Sequence, residues 1–359
     1  MALSSGTEKN FAWKGRVAHV TQLGGIETSV LDNGPGRNTR IAWFDTGTGF
    51  RFKVVPDRGL DIVDAFFNAH SLAWISHAGI TAPEPFSDHG ITWLRSFAGG
   101  LMTTCGISHA GVPDSDEFGE RGLHGPFSNT PAEITSIVQP DLLRGNMQMK
   151  ICGIIKESSA LGHKLEMRRT ISGELGSPVV RIHDEVVNAG NQDAPHMLLY
   201  HLNFGWPLVD EGAEILWKGS WKARETVSEK IFNNEFSFHQ CQPPLSEHAG
   251  SGEAACYIDA GTDADGIVTC GIFNQKIGVA FAVRYKKSQM PCLTNWQHWG
   301  YGEYVTGLEP ATNFPIGQKE ARATNKLIFL TPSESREYEM EFELIHDQDK
   351  LNDFRNSFN

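Results

Sequence analysis

Three short stretches, far apart in the chain, each carry one side chain able to move a proton near neutral pH. They are Leu123-His124-Gly125, Leu199-Tyr200-His201-Leu202-Asn203-Phe204 and Gly307-Leu308-Glu309-Pro310. Two histidines and a carboxylate are enough to take a proton from one atom of a neutral substrate and deliver another to its neighbour. Each also has a plain structural alternative. A strand histidine can be satisfied by a backbone carbonyl, a histidine in a Gly/Pro turn can be exposed for many reasons, and a glutamate before proline can be a solvated strand end.

Two further segments could hold a ligand rather than react with it. In Val54-Val55-Pro56-Asp57-Arg58-Gly59-Leu60-Asp61-Ile62, Arg58 stands between two aspartates. The functional reading is a guanidinium held by carboxylates that offers its fork to ligand hydroxyls; the alternative is a structural ion pair. In Leu293-Thr294-Asn295-Trp296-Gln297-His298-Trp299-Gly300-Tyr301, aromatic rings lie beside amides. That suits a sugar, which has apolar C–H faces and a rim of hydroxyls, and it equally suits a buried Trp-rich strand. Trp296, Gln297 and His298 are the candidates there, with Asn203 beside His201.

The elements that must position these groups read as strands. Residues 336–344 alternate charged and apolar without a break, and 326–330 form a short apolar run; turn residues 331–335 between them predict a hairpin. Residues 179–187, 197–204, 266–273 and 277–285 add further strands separated by turn chemistry. If 197–204 is a strand, Met197, Leu199, His201 and Asn203 share one face, and Leu198, Tyr200, Leu202 and Phe204 share the other. Sustained helical periodicity is nearly absent, and 37 glycines and 17 prolines interrupt the chain. The pattern predicts an all-β protein, a large antiparallel β-sandwich in one domain spanning 1–359, with loops at 76–89 and 112–122 long enough to carry function.

The formal charge of −12, from 43 acidic against 31 basic residues, disfavours a nucleic-acid partner. Six scattered cysteines form no C-x-x-C pair, so reduced thiols are expected, with no metal site. No segment has the apolar length of a signal peptide or membrane span, which gives the expectation of a cytoplasmic protein with no membrane partner. A homodimer is compatible with the sequence.

Taken in order, Arg58, the Leu123-His124-Gly125 turn, His201 in H-x-N-F, and Glu309 before Asn313-Phe314-Pro315 resemble the aldose 1-epimerase (galactose mutarotase-like) superfamily. The resemblance runs from about Arg58 to Pro315. It implies a sandwich with a sugar cleft across one sheet and a monosaccharide or related small sugar as ligand. In the implied chemistry Glu309 is the general base at the anomeric hydroxyl and His201 the general acid at the ring oxygen. His124 would assist there and Arg58 would hold hydroxyls, with no cofactor required. Two other readings stay open: a sugar epimerase or lyase using the same pair on a C–H proton, and a carbohydrate-binding protein without turnover.

Overall fold

The computed structural model describes residues 13, 15–86, 88–226, 228–229 and 238–358. Its strands form antiparallel sheets of five, eight, seven and two strands. The eight-stranded back sheet runs Glu214–Leu216, Ile267–Asn274, Val279–Lys286, Ser335–Ile345, Val179–Asn188, Lys164–Glu174, Gln148–Ser158, Glu133–Val138. The front sheet runs Gly219–Ala223, Ala254–Ala260, Cys292–Gly300, Glu303–Ala311, Ala194–Gly205, Ile328–Leu330, and Thr103–Ile107 also pairs with Ala194–Gly205.

Alternation decides which side chains fill the space between the sheets. Tyr338, Met340, Phe342 and Leu344 of the back sheet join Leu198, Tyr200, Leu202, Phe204 and Leu308 of the front sheet in one core, together with Phe44 and Phe52 of the five-stranded sheet. Burying a large apolar side chain of this kind contributes about 1.5–3 kcal/mol. The other face of Ala194–Gly205 therefore points away from this core. Met197 and Leu199 pack there under Trp93, Phe97 and Ala321, and His201 and Asn203 share that face as the alternation requires.

A buried charge network ties the two sheets together beneath this strand. Arg169, fully enclosed, donates through Nη2 to Asp184 Oδ2 at 2.7 Å and through Nη1 to Asp61 Oδ1 at 3.0 Å. The Tyr200 hydroxyl donates to the same Asp184 oxygen at 2.6 Å. Asp61 also accepts from the Thr104 amide and hydroxyl, so the residues adjoining His201 and Thr103 are anchored through the core.

Two expectations are corrected. Residues 326–330 and 336–344 do not form a hairpin: Ile328–Leu330 pairs with Ala194–His196 in the front sheet, and Ser335–Ile345 lies in the back sheet. Glu334 accepts from the Thr331 amide and hydroxyl, and Asn188 donates to the Leu330 carbonyl. The turn therefore carries the chain from one sheet to the other. The 112–122 loop contains a small hairpin, Asp114–Asp116 with Gly119–Arg121, clamped by Arg121 on both aspartates. Helices Gln318–Ala323 and Gln348–Asn356 are present as well. The second begins at Asp347, whose side chain caps the Lys350 amide, and buries Leu351 and Phe354. Among the described residues no helix is long and apolar enough to cross a membrane.

Candidate active site

Register builds the site. In an antiparallel pair, directly opposed side chains stand on the same face. Leu202 faces Leu308 and Asn203 faces Gly307, which sets His201 opposite Glu309. Glu309 faces Thr294, Thr294 faces Tyr257, Tyr257 faces Lys222, and on the other side His201 faces Thr103. One row thus crosses the outer face of the front sheet: Thr103, His201, Glu309, Thr294, Tyr257, Lys222. In the next row Gly307 faces Trp296.

His201 Nε2 and Glu309 Oε1 are 3.3 Å apart, and both residues are buried. Burial disfavours an ion pair at this contact. Burial pushes Glu309 up to about 8, with Arg224 opposing and Glu253 adding to the shift. Burial likewise pushes His201 down to about 4, opposed by the Asn203 side chain. Both shifts favour the uncharged forms, a protonated carboxyl beside a neutral imidazole. Asn203 donates its amide to the Gly100 and His201 carbonyls, so it lies beside the histidine and braces its backbone.

Aromatic rings enclose the pair. Phe97 and Trp296 lie 5.4 Å from the His201 ring by centroid, and His124 meets it edge-on at 5.8 Å. His124 keeps part of its surface accessible, but burial against its neighbours, with His201 and His109 adding, holds its pKa well below 6.5. Its backbone is left-handed, φ 59°, with the amide donating to the Gly111 carbonyl and the carbonyl accepting from Gly106. Gly125 follows at φ 71°, where a Cβ would stand 2.6 Å from the His109 carbonyl oxygen. Only glycine fits that turn.

Gly307 makes room for the chemistry in a different way. A Cβ there would stand 3.0 Å from Glu309 Oε1 and 3.3 Å from Trp296 Cε3. Gly307→Ala is expected to push the carboxylate off His201 and lower turnover by about 10–10²-fold, the scale of a small misplacement of reacting groups, with little change in unfolding midpoint. Steady-state kinetics beside a thermal melt checks this.

The remaining predicted residues divide. Trp296 and His298 lie on the cleft face with nearly parallel rings, 6.1 Å apart. The Trp296 indole donates to Glu253 Oε2 at 2.6 Å, and His298 Nδ1 contacts the Gly252 carbonyl at 2.5 Å. Gln297 is corrected: it points inward, its amide donating to the Phe238 carbonyl and Asn295 and its oxygen accepting from the Trp299 indole. Arg58 is close to the row but is held differently from the expectation. Its neighbour Asp57 pairs with Arg40, and Asp61 with Arg169. The Arg58 fork donates to the Ser128 and Ser96 carbonyls and to Thr81, and it borders a cavity of about 10 Å³ shared with Thr103.

Sequence reasoning missed Thr294, Glu253 and Arg224. Arg224 Nη2 donates to Glu253 Oε1 at 2.5 Å and to Glu225, so a carboxylate paired with a guanidinium stands beside Trp296. For Thr294 a signal existed: it is two and four residues from Trp296 and His298, hence on their face. For Glu253 and Arg224 only the pairing of distant strands brings them to the cleft.

Sheets in this order, carrying this row on an outer face, define a galactose mutarotase-like sandwich. Similar solved structures agree. A candidate aldose 1-epimerase from Klebsiella pneumoniae matches with a TM-score of 0.82 at 22% identity, covering 94% of this chain and 89% of that one. A galactose mutarotase-like protein from Clostridium acetobutylicum matches at 0.58 and 13% identity, covering 90% and 98%. Galactose 1-epimerase from Lactobacillus acidophilus matches at 0.57 and 10% identity, covering 89% and 98%. At these identities the likeness establishes the fold. The chain belongs to the family described as Domain of unknown function (DUF4432), whose model matches residues 36–344. No curated protein matches the sequence.

Proposed function

We propose that this protein is an aldose 1-epimerase that interconverts the α and β anomers of a free aldose or related small sugar. The observation that carries the reading is the register-fixed contact of His201 with Glu309, with the His124 ring edge-on to the imidazole at 5.8 Å. Opening a hemiacetal requires loss of the proton on O1 and gain of one on the ring oxygen, so a base and an acid must flank C1. Transfer of the shared proton from Glu309 to His201 Nε2 gives the reactive tautomer without exchange with solvent.

Glu309 then takes the O1 proton, His201 delivers its own to the ring oxygen, and the C1–ring oxygen bond breaks to give the open aldehyde. After rotation about C1–C2 both transfers reverse and the ring closes on the other face. The His124 ring, edge-on to His201 at 5.8 Å, is assigned the assisting role at the ring oxygen. Trp296 offers an apolar face, and Glu253, which accepts from Arg224 and Trp296, is the carboxylate assigned to the sugar hydroxyls. Arg58 acts through the Ser96, Thr81 and Ser128 segments it braces, a positioning role.

The proton count gives a test. The one-proton pair exists between the lowered His201 value, about 4, and the raised Glu309 value, about 8. A bell-shaped kcat/KM for anomer exchange is expected, falling on the acid side as the pair gains a second proton and on the alkaline side as it loses its only one; the limbs belong to the pair. An alkaline limb absent up to pH 10 in polarimetric assays contradicts the assignment.

A further inference from the structure

Several polar atoms on and near the outer face of the front sheet are buried without a hydrogen-bond partner: Nδ1 of His124 and of His201, Asn203 Oδ1, His109 Nε2 and Thr294 Oγ1. Buried polar groups are nearly always paired, so orphans gathered on one face of the sheet mark where a polar ligand belongs. Four belong to groups already placed around the histidines. Thr294 does not. It is 2% exposed and stands in register beside Glu309, on the side away from His201.

Resting on the aldose reading above, we infer that the Thr294 hydroxyl binds the C2 hydroxyl of the sugar and is a specificity-determining contact. The direction of the row gives the assignment. His201, Glu309 and Thr294 succeed one another across neighbouring strands, spaced about 4.8 Å apart. Around an aldose ring the ring oxygen, O1 and O2 succeed one another in the same way. With the ring oxygen at His201 and O1 at Glu309, O2 comes next, over Thr294. Tyr257, beyond Thr294 and stacked on Phe314 at 4.4 Å, closes that end of the row. The contact also suits the reaction, because turning C1 about the C1–C2 bond requires that C2 be held.

Thr294→Val removes the hydroxyl and keeps the branched shape. It is expected to lower kcat/KM for anomer exchange about three- to tenfold, the worth of one neutral hydrogen bond, with glucose and galactose and with their 3- and 4-deoxy analogues. With the 2-deoxy sugars it is expected to leave kcat/KM unchanged, and Thr294→Ser should restore the parent rates. The unfolding midpoint of Thr294→Val should equal or exceed that of the wild type, since an unpaired buried hydroxyl is lost. Equal losses with 2-hydroxy and 2-deoxy sugars, or no loss with any, overturn the inference. If the wild type exchanges no aldose, the aldose reading fails and Thr294 is judged by sugar affinity from calorimetric titration. A Thr294→Val loss confined to 2-hydroxy sugars supports the contact; equal affinities, or no binding at all, overturn it.

Discussion

Replacing Glu309 by Gln should lower anomer exchange by about 10²–10⁴-fold, the usual contribution of one general acid–base group, while leaving the fold intact. Gln keeps the size of the side chain but cannot carry the proton between O1 and the imidazole. The stability of this variant has a definite sign. Burial raises the folded Glu309 pKa from 4.5 to about 8, so the folded protein holds this proton more tightly than the unfolded chain. The contribution to stability is therefore complete below about pH 4.5 and is lost as pH rises through 8. Gln never ionises, so the variant should match the wild type at pH 4.5 and become the more stable of the two as pH rises to 9. Urea unfolding at several pH values, run beside exchange kinetics, reads both effects. A variant that is inactive because it is unfolded would show the opposite.

The second large effect lies in the core. Asp184→Ala should destabilise the protein by about 3–5 kcal/mol, because it leaves the enclosed Arg169 charge without its principal partner. Arg169 would keep Asp61, the Gly59 carbonyl and the Thr104 hydroxyl, but the Tyr200 hydroxyl would be stranded in an apolar interior. Against a typical total of about 5–15 kcal/mol, such a loss is a large share. Tyr200 precedes His201 and Thr104 follows Thr103, so slackening here should also loosen the row that carries the chemistry. Denaturant titration should show a lower midpoint, and exchange measured well below that midpoint should be slower than in the wild type. An unfolding free energy within about 1 kcal/mol of the wild type contradicts this role of Asp184.

Period-two patterning made much of this architecture readable in advance. The split of Met197, Leu199, His201 and Asn203 from Leu198, Tyr200, Leu202 and Phe204 is the split between cleft and core. The same rule applied to residues 293–301 would have kept Trp296 and His298, added Thr294 and rejected Gln297, because three consecutive strand residues cannot share a face. The failed hairpin has another cause. Thr331 to Ser335 is sound turn chemistry, but a local turn does not say which sheet receives each arm; that is set by distant partners, Ala194–Gly205 for one and Val179–Asn188 for the other. Arg58 is held by other groups than its sequence neighbours for a similar reason. Its neighbours in sequence, Asp57 and Asp61, are claimed by Arg40 and Arg169, which arrive from elsewhere in the chain. Glu253 and Arg224 reach the site through three successive strand pairings that no local pattern announces.

Under the proposed function the His201–Glu309 pair moves protons on and off a hemiacetal. Magnetisation-transfer NMR of the wild-type protein with a panel of free aldoses tests it most directly, because it reads α–β exchange at equilibrium and needs no coupled enzyme. Exchange faster than in buffer is expected for at least one aldose, proportional to protein concentration and removed by Glu309→Gln. Exchange at the buffer rate for every sugar, or acceleration that survives Glu309→Gln unchanged, would contradict it.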